Sequence, residues 1–379
     1  MLLLATAGGC LLYDDSLLLP APAIPPDAAG PDTTTPPVAT GCALARWPDR
    51  PAVADVDGGG AVEFVNAVRT LDFGVGREAG VPRDFGFDLD GVCTCAPDRG
   101  RAGVESCRVP PGTAAHCDLD EGRDTTAASL VLGFSQVSNA FSQDEVNGAL
   151  RDGYYGLLFR VTKYNGLADD PNVEVAVFGS GGNDGVQDGG RPGRPRDDGT
   201  DRWTIDPSYL QGGSAPPFIP LYRDVNAYVS NHRLVATMDF PVSFSGLVGG
   251  VASIMIDLTD SVVVGTIVRD GESYRIDRGT VAGRWQTTKL LTSLEVIPDP
   301  FADGGFLCGP STTYALAKEL VCSGQDIVSN LRRDNTGAPC DAVSLSIDFT
   351  SRPAVLGEVV PPPARPKPCG LQWVDDCPR

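Results

Sequence analysis

The sequence predicts a mainly β protein that folds as an antiparallel β-sandwich of the jelly-roll or concanavalin-like type. Short apolar runs recur along the chain, and turn residues such as Asn165-Gly166 and Asp270-Gly271 separate them. Many short strands with such turns between them are typical of all-β sandwiches and barrels. Within Ser253–Leu258 the branched apolar residues share one face, as in a half-buried antiparallel strand. Strands and helices do not alternate along the chain in the manner of a parallel sheet.

Eleven runs have the composition of strands, because they are rich in β-branched and aromatic residues. Asn-Gly and Asp-Gly favour hairpins between them, since both residues tolerate a positive φ. The predicted strands are Val62–Phe73, Ser129–Ser135, Tyr154–Tyr164, Val173–Gly179, Val225–Val229, Leu234–Phe240, Ser253–Leu258, Val262–Arg269, Ser273–Asp277, Thr280–Trp285 and Val343–Phe349.

Helices are predicted in only a few places. Ser142 and Glu145 form a capping box, which predicts the start of a helix. Ser323-Gly324 separates two apolar stretches near the C-terminus, where Gly suits a helix end and Ser a helix start. The predicted segments are Asp144–Arg151, a turn at Lys289–Val296, and two short helices at Thr312–Val321 and Gln325–Arg333. We expect disulfides to pin this last pair to the sheet, since three cysteines bracket it: Cys308, Cys322 and Cys340.

The N-terminus carries an apolar run, then small residues, then Cys10. This order resembles the lipobox of bacterial lipoproteins, in which the signal is cut before the cysteine and the thiol carries diacylglycerol. Secretory signals begin with positive charge, and neither Lys nor Arg precedes Cys10. We therefore expect residues 1–9 to be a truncated signal whose true start lies upstream. The alternative is a chance cysteine in a short apolar N-terminus.

The domain organisation follows from composition. Pro20–Thr40 is rich in Pro, Ala, Asp and Thr and lacks apolar periodicity, so residues 10–41 are predicted to be a lipid-anchored, extended spacer. Residues 42–357 are expected to form the β-sandwich domain. Residues 358–379 are expected to form a proline-rich tail that ends in a small loop closed by Cys369 and Cys377.

Cysteine counting predicts disulfides and an oxidising compartment. The chain has 11 cysteines, and assigning Cys10 to the lipid leaves an even number for pairing. Zinc is disfavoured because the chain has 2 histidines and lacks C-x-x-C. Cytosolic proteins rarely keep so many disulfides. The predicted disulfide cysteines are Cys42, Cys93, Cys95, Cys107, Cys117, Cys308, Cys322, Cys340, Cys369 and Cys377.

Proximity along the chain suggests three groups of disulfides. Cys93 and Cys95 are expected to pair with Cys107 and Cys117, in either arrangement. The C-terminal cysteines, Cys369 and Cys377, are expected to pair with each other. The remaining two bridges would then come from Cys42, Cys308, Cys322 and Cys340.

The charge and hydropathy of the sequence limit the classes of partner that it is expected to bind. A formal net charge of −19 makes nucleic acid a poor partner, because its binding requires clusters of Lys and Arg. No apolar run approaches the length of a transmembrane helix, so the lipid on Cys10 would be the link to the membrane. Leu11 follows Cys10 in place of the aspartate that retains some lipoproteins at the inner membrane. Outer-membrane sorting is therefore expected.

Two acidic clusters flank the cysteine-rich segment that follows Gly91. Asp88, Asp90, Asp118 and Asp120 are candidate ligands for a structural calcium ion, which takes six to eight oxygens. The EF-hand pattern fails, since Gly86 or Cys117 would occupy its first ligand position. The alternative is a set of solvated turn residues in a disulfide-stapled loop. No other cofactor is predicted.

Candidate ligand-stacking residues are Trp203, Tyr209 and Tyr222, because sandwich lectins stack sugars on exposed aromatic rings. The alternative is packing in the core, which is more common for such residues. The sequence lacks G-x-S-x-G, a P-loop, G-x-G-x-x-G and H-E-x-x-H. Enzymatic activity is therefore disfavoured.

Leu4–Cys10, the spacer, Phe87–Cys95 and Cys117–Asp120 together resemble a set of uncharacterised bacterial predicted lipoproteins. The resemblance implies a cell-envelope lipoprotein and implies no activity. We expect a non-catalytic binding or structural β domain, with a glycan or an envelope protein as candidate partner. The alternative is a glycan-binding or glycan-cleaving sandwich. An exposed row of Trp or Tyr beside paired carboxylates would favour that alternative, and a sheet face filled by side chains would favour the first hypothesis.

Overall fold

A computed structural model describes residues 45–52, 60–74, 85–95, 105–137, 142–184, 193–213, 218–246, 252–302, 305–309, 311–362, 367–370 and 372–378. These residues all fall within one compact unit, Ala39–Arg379. Cys10, Cys42, the truncated signal and the spacer lie outside the described residues, so the statements about them remain predictions.

The described residues form eleven β-strands, and nine of them belong to one antiparallel sheet. The remaining two, β4 and β11, form a small parallel sheet. The strands are β1 Val62–Asp72, β2 Gly156–Tyr164, β3 Asp170–Ser180, β4 Arg202–Ile205, β5 Tyr222–Ser230, β6 Arg233–Thr237, β7 Phe240–Gly246, β8 Ala252–Asp270, β9 Ser273–Gln286, β10 Ala342–Pro353 and β11 Val355–Val359.

The predicted sandwich is wrong, because the large sheet closes on itself as an eight-stranded barrel. The ring runs β6–β5–β3–β2–β1–β10–β9–β8 and returns to β6. Val235 of β6 lies opposite Tyr228 of β5 on one side and Val264 of β8 on the other. A sandwich and a barrel share the same alternation along each strand, so a single pairing distinguishes them here. That pairing, between β6 and β8, leaves no signature in the sequence.

Strand β8 makes the closure possible. It was predicted as two strands, Ser253–Leu258 and Val262–Arg269, but it continues through both as 19 residues. Its first half pairs with β7 and its second half with β6. The register against β9 shifts between Thr259 and Val262, and Asp260 has a φ of 46°. Such a bulge bends a strand and increases its twist, which lets one strand serve two neighbours.

The barrel interior is a packed apolar core. Side chains on β3 alternate, so that Val173, Val175 and Val177 join the interior cluster while Ala176 and Phe178 join an outer one. Eight strands enclose a space that side chains can fill. The interior cluster also continues into residues of all four helices described below.

Two smaller clusters cover parts of the outer surface. Phe87 and Leu89 pack with Val235, Val262 and Val264, together with other residues of the barrel wall. On another part of the wall, residues of β4 and β11 pack against β2 and β3; this cluster includes Ala67, Leu158, Ala176, Phe178, Trp203, Ile205 and Leu210. Several strands are therefore buried on both faces, which explains their continuous apolar runs.

The four α-helices among the described residues are α1 Thr126–Val137, α2 Gln143–Arg151, α3 Thr287–Ser293 and α4 Thr312–Ser323. The helix start predicted at Ser142 is confirmed, since Ser142 Oγ accepts a hydrogen bond from the Glu145 amide. The strand predicted at Ser129–Ser135 is wrong, because that run lies inside α1. A short apolar run does not by itself distinguish a strand from a buried helix. None of the four helices is long and apolar enough to cross a membrane.

Only one of the two predicted disulfide-pinned helices forms, namely α4. Cys322, near its end, is bonded to Cys377. In place of the second helix, Ile327 pairs with Ala342 as an antiparallel bridge, and helical structure is limited to the 3₁₀ turn Leu331–Arg333.

The disulfides differ from most of the predicted pairings. Cys95–Cys117 matches one of the two predicted arrangements. The predicted Cys369–Cys377 loop is wrong, since these residues bond to different partners. The other described disulfides are Cys107–Cys340, Cys308–Cys369 and Cys322–Cys377. Cys93 is also disulfide-bonded.

Candidate functional site

The two acidic clusters meet on the outer surface of the barrel. Phe87 and Asp124 form an antiparallel bridge, in which the Asp124 amide donates to Phe87 O at 2.9 Å. The Cys95–Cys117 disulfide joins the same two segments further along. Local pairing therefore brings together the aspartates that follow Phe87 and those that precede Thr125.

Asp88, Asp90 and Asp124 form a buried triad. Each offers one carboxylate oxygen, and these three atoms lie within 4.8 Å of one another. Burial of three carboxylates in so small a volume is unfavourable unless protons or a cation compensate their charge. A cation could be held by this triad, which offers oxygen ligands alone.

Backbone amides orient the triad. Asp88 Oδ1 accepts from the Gly91 amide at 2.7 Å, and Asp90 Oδ1 accepts from the Val92 amide at 2.9 Å. Asp124 Oδ2 accepts from the Leu89 amide at 2.6 Å. Gly91 has a φ of 85°, a conformation that favours glycine and lets the loop turn back on Asp88. One oxygen of each carboxylate is thus held by the backbone.

Asp118 and Asp326 extend the triad into a cluster of five aspartates. Asp118 Oδ2 accepts from the Thr94 amide at 2.6 Å. Asp326 accepts from the Ser344 amide at 2.9 Å and from Thr126 Oγ1 at 2.7 Å. We call Asp88, Asp90, Asp118, Asp124 and Asp326 the aspartate cluster.

Burial raises the pKa of every carboxyl group in the aspartate cluster. The pKa of Asp88 rises to about 6 and that of Asp118 to about 8. Burial likewise raises the pKa of Asp90, Asp124 and Asp326, and repulsion between cluster members adds to the rise for Asp90 and Asp124. The cluster therefore retains protons at a pH where exposed carboxylates have lost them.

Nearby positive charge compensates the cluster only in part. Arg46 Nη2 lies 2.8 Å from Asp88 Oδ2. Arg284 lies near Asp90 and Asp124, but its two Nη atoms each donate to Asp334 at 2.6 Å. His116 lies near Asp326, and its Nε2 makes a hydrogen bond of 2.7 Å with the Ser323 carbonyl. A bound cation would compensate the negative charge that remains on the cluster.

The structure brings together some of the predicted metal ligands. Asp88 and Asp90 belong to the triad, and Asp118 belongs to the wider cluster. Asp120 lies instead in the half-buried 3₁₀ turn Asp120–Gly122 and is not part of the triad. Asp124 takes that place, because it is the residue that pairs with Phe87.

The aromatic candidates are packed inside the protein. Trp203 is 3% exposed, and an added Cβ on Gly156 would lie 2.7 Å from its ring. Tyr209 is 1% exposed and donates to the Pro241 carbonyl at 2.7 Å. Tyr222 is half-buried, with its ring 5.2 Å from that of Tyr209. Protein atoms therefore occupy the surfaces that a stacked sugar would need on Trp203 and Tyr209.

Comparison with protein-family models, with curated proteins and with solved structures finds no match to this chain.

Proposed function

We propose that this chain is a cell-envelope lipoprotein whose barrel is a non-catalytic binding or structural module stabilised by a calcium ion. The observation that carries the proposal is the buried triad of Asp88, Asp90 and Asp124, whose oxygens lie within 4.8 Å of one another. A cation held by the triad would offset both the burial of these charges and their mutual repulsion.

The ligand chemistry favours calcium. Calcium is a hard cation that prefers carboxylate and carbonyl oxygens, whereas zinc prefers histidine nitrogen and cysteine sulfur. The cysteines beside the triad, Cys93 and Cys95, are bonded in disulfides and are not free as thiolate ligands. Calcium also tolerates irregular coordination, which suits a site assembled from two loops better than the strict octahedron of magnesium.

The filled barrel supports a non-catalytic module. Its interior is occupied by side chains, so a ligand would bind on the outer surface rather than in a lumen. The burial of Trp203 and Tyr209 offers no support for the glycan alternative.

The odd number of cysteines in the chain supports a lipid anchor at Cys10. All nine described cysteines are disulfide-bonded, eight of them to one another. The full sequence has 11 cysteines, an odd number, and the other two are Cys10 and Cys42. A lipid-modified Cys10 would account for the odd count without a free thiol.

Calcium is expected to raise the melting temperature of the purified protein at pH 8. Extracellular calcium modules bind with dissociation constants of about 10⁻⁴–10⁻³ M, so about 10 mM calcium approaches a 100-fold excess. Ligand linkage then contributes about 2.7 kcal/mol, or about 5 °C for a domain of this size. Asp124→Asn is expected to abolish the shift, and Asp120→Asn, which lies outside the triad, is expected to retain it. Equal melting temperatures in calcium and in chelator for the unaltered protein would overturn the calcium proposal.

The same shift is expected to depend on pH. The pKa values of Asp88 and Asp118 are raised to about 6 and about 8 in the native state, so the native state holds protons that the unfolded chain releases. Stability without calcium is therefore highest below about pH 4 for these groups and falls as the pH rises toward 8. Calcium replaces the protons, so its effect on the melting temperature should be larger at about pH 8 than at about pH 5. A calcium shift that does not change with pH would contradict this assignment.

The lipid anchor has a separate test. In bacteria that express the gene from its natural locus, the protein should incorporate radiolabelled palmitate and partition into the membrane fraction. Cys10→Ala should abolish both, whereas Cys10→Ala with an unrelated secretion signal should still yield a folded, disulfide-bonded domain. Palmitate incorporation that persists in Cys10→Ala would refute the assignment of Cys10.

A further inference from the structure

A second acidic feature has a lining that shares no described residue with the aspartate cluster. It is a groove with a volume of about 820 Å³. Asp197–Thr200 and the β8–β9 turn at Asp270–Ser273 line it, together with Glu63–Val65 of β1 and Pro353–Leu356 at the start of β11. We call it the acidic groove.

The charged side chains that line the acidic groove are all negative among the described residues. Among the described residues, five carboxyl side chains line it and no Lys or Arg does. Two of the five are neutralised from outside, because Arg69 pairs with Asp197 at 2.6 Å and Arg275 approaches Asp270 at 3.5 Å. Within the described part of the chain, the other three have no ion-pair partner and are exposed; they are Glu63, Asp198 and Glu272.

The acidic groove also offers apolar surface and a strand edge. Val355 is exposed and Leu356 is half-buried. The Ala354 amide donates toward β1, to Val65 O, and the Val355 amide donates toward β4, to Asp201 O. These two successive amides thus point to opposite sides, and by the same alternation the Leu356 amide of β11 is expected to point away from β4. Among the described strands, β11 pairs with β4 alone, and no described strand is paired with its other edge beyond Val65.

We propose that the acidic groove binds an extended basic peptide segment of a partner protein. Three unpaired carboxylates on three separate chain segments suit cationic side chains spaced along a strand, rather than one compact ion. The apolar side chains of β11 suit the alternate residues of such a strand, and the β11 edge can receive its backbone hydrogen bonds. This assigns a partner to the binding module proposed above and does not depend on calcium at the aspartate cluster.

The test uses the disulfide-bonded domain and a fluorescent peptide of alternating Lys and Val, with binding followed by anisotropy. Binding should weaken when salt rises from about 10 mM to about 0.15 M, because screening shortens the reach of surface charges. The triple variant Glu63→Gln, Asp198→Asn, Glu272→Gln should lose about ten-fold in affinity. A control with the same change in net charge, Asp49→Asn, Glu105→Gln, Glu319→Gln, should bind as the unaltered protein does.

Two further probes distinguish binding of an extended peptide strand from nonspecific electrostatic binding of any polycation. A Lys-Pro peptide of equal charge lacks half the backbone donors and should bind more weakly than the Lys-Val peptide. Spermine should compete poorly. Equal affinities for the triple variant and its control would overturn the proposal, as would equal binding of both peptides. Because every substituted residue is exposed, melting temperature and its response to calcium should be unchanged, which separates failure here from failure of the calcium site.

Discussion

Replacing both Cys107 and Cys340 by serine is expected to destabilise the domain by about 5 kcal/mol. The disulfide joins residues 233 positions apart, and both cysteines are buried. In the chain-entropy account, a cross-link stabilises by restricting the unfolded chain, and the effect grows with the closed loop. The bridge also packs against Val328, so its loss removes apolar contact. The measurement is the midpoint of guanidinium unfolding under oxidising conditions.

The Cys95–Cys117 disulfide provides the matched comparison. It spans 22 positions, for which the same account gives about 3 kcal/mol. The double serine variant of Cys95 and Cys117 should therefore be the more stable of the two variants by about 2 kcal/mol. Equal losses would show that local packing, rather than restriction of the unfolded chain, sets the contribution of both bridges.

Replacing Arg284 by methionine is expected to cost about 3–5 kcal/mol. Arg284 is 0% exposed on β9, and it donates to both carboxylate oxygens of Asp334 at 2.6 Å. It also donates to the Leu89 carbonyl at 2.7 Å and to the Val328 carbonyl at 2.8 Å. Methionine fills similar space but leaves a buried carboxylate and two carbonyls without their donor. The loss is measured as a change in the free energy of unfolding.

A second substitution tests the mechanism of that loss. Adding Asp334→Asn to Arg284→Met removes the uncompensated charge and should recover part of the stability. Arg284→Met that stays within about 1 kcal/mol of the unaltered protein would contradict the buried ion pair as a main contributor. If the double variant is no more stable than Arg284→Met alone, the loss of stability comes from the Leu89 and Val328 carbonyls that lack a donor.

The sequence predicted the strands better than their assembly. Runs such as Val62–Phe73 and Val343–Phe349 carry their own signal, because β-branched and aromatic residues alternate within a few positions. The signal for the helix after Ser142 is equally local, since the residues that predict its start, Ser142 to Glu145, span four positions. Barrel closure depends on pairing between β6 and β8, and most disulfides join distant segments. Neither the strand pairing that closes the barrel nor these disulfide pairings produce a recognisable pattern within a short stretch of sequence.

Only the local part of the candidate site could be predicted, because the rest depends on contacts between segments that are distant in the sequence. Asp88 and Asp90 stand in one turn, where spacing alone indicates convergent oxygens. The choice between Asp120 and Asp124 depends on which residue pairs with Phe87, and spacing does not reveal that. Asp326 lies 200 residues from its partner Thr126, so only the folded barrel places it near the triad.

The position of β1 in the barrel sets the order in which the fold can be completed. Its neighbour on one side, β10, comes near the end of the chain, and the Ser351 hydroxyl donates to Asn66 Oδ1 across 285 positions. During synthesis β1 therefore has an unsatisfied edge until β10 has emerged. Contacts this distant make folding slow and leave the growing chain open to aggregation. Cells that make this protein must protect an unfinished sheet throughout the synthesis of the segment between β1 and β10.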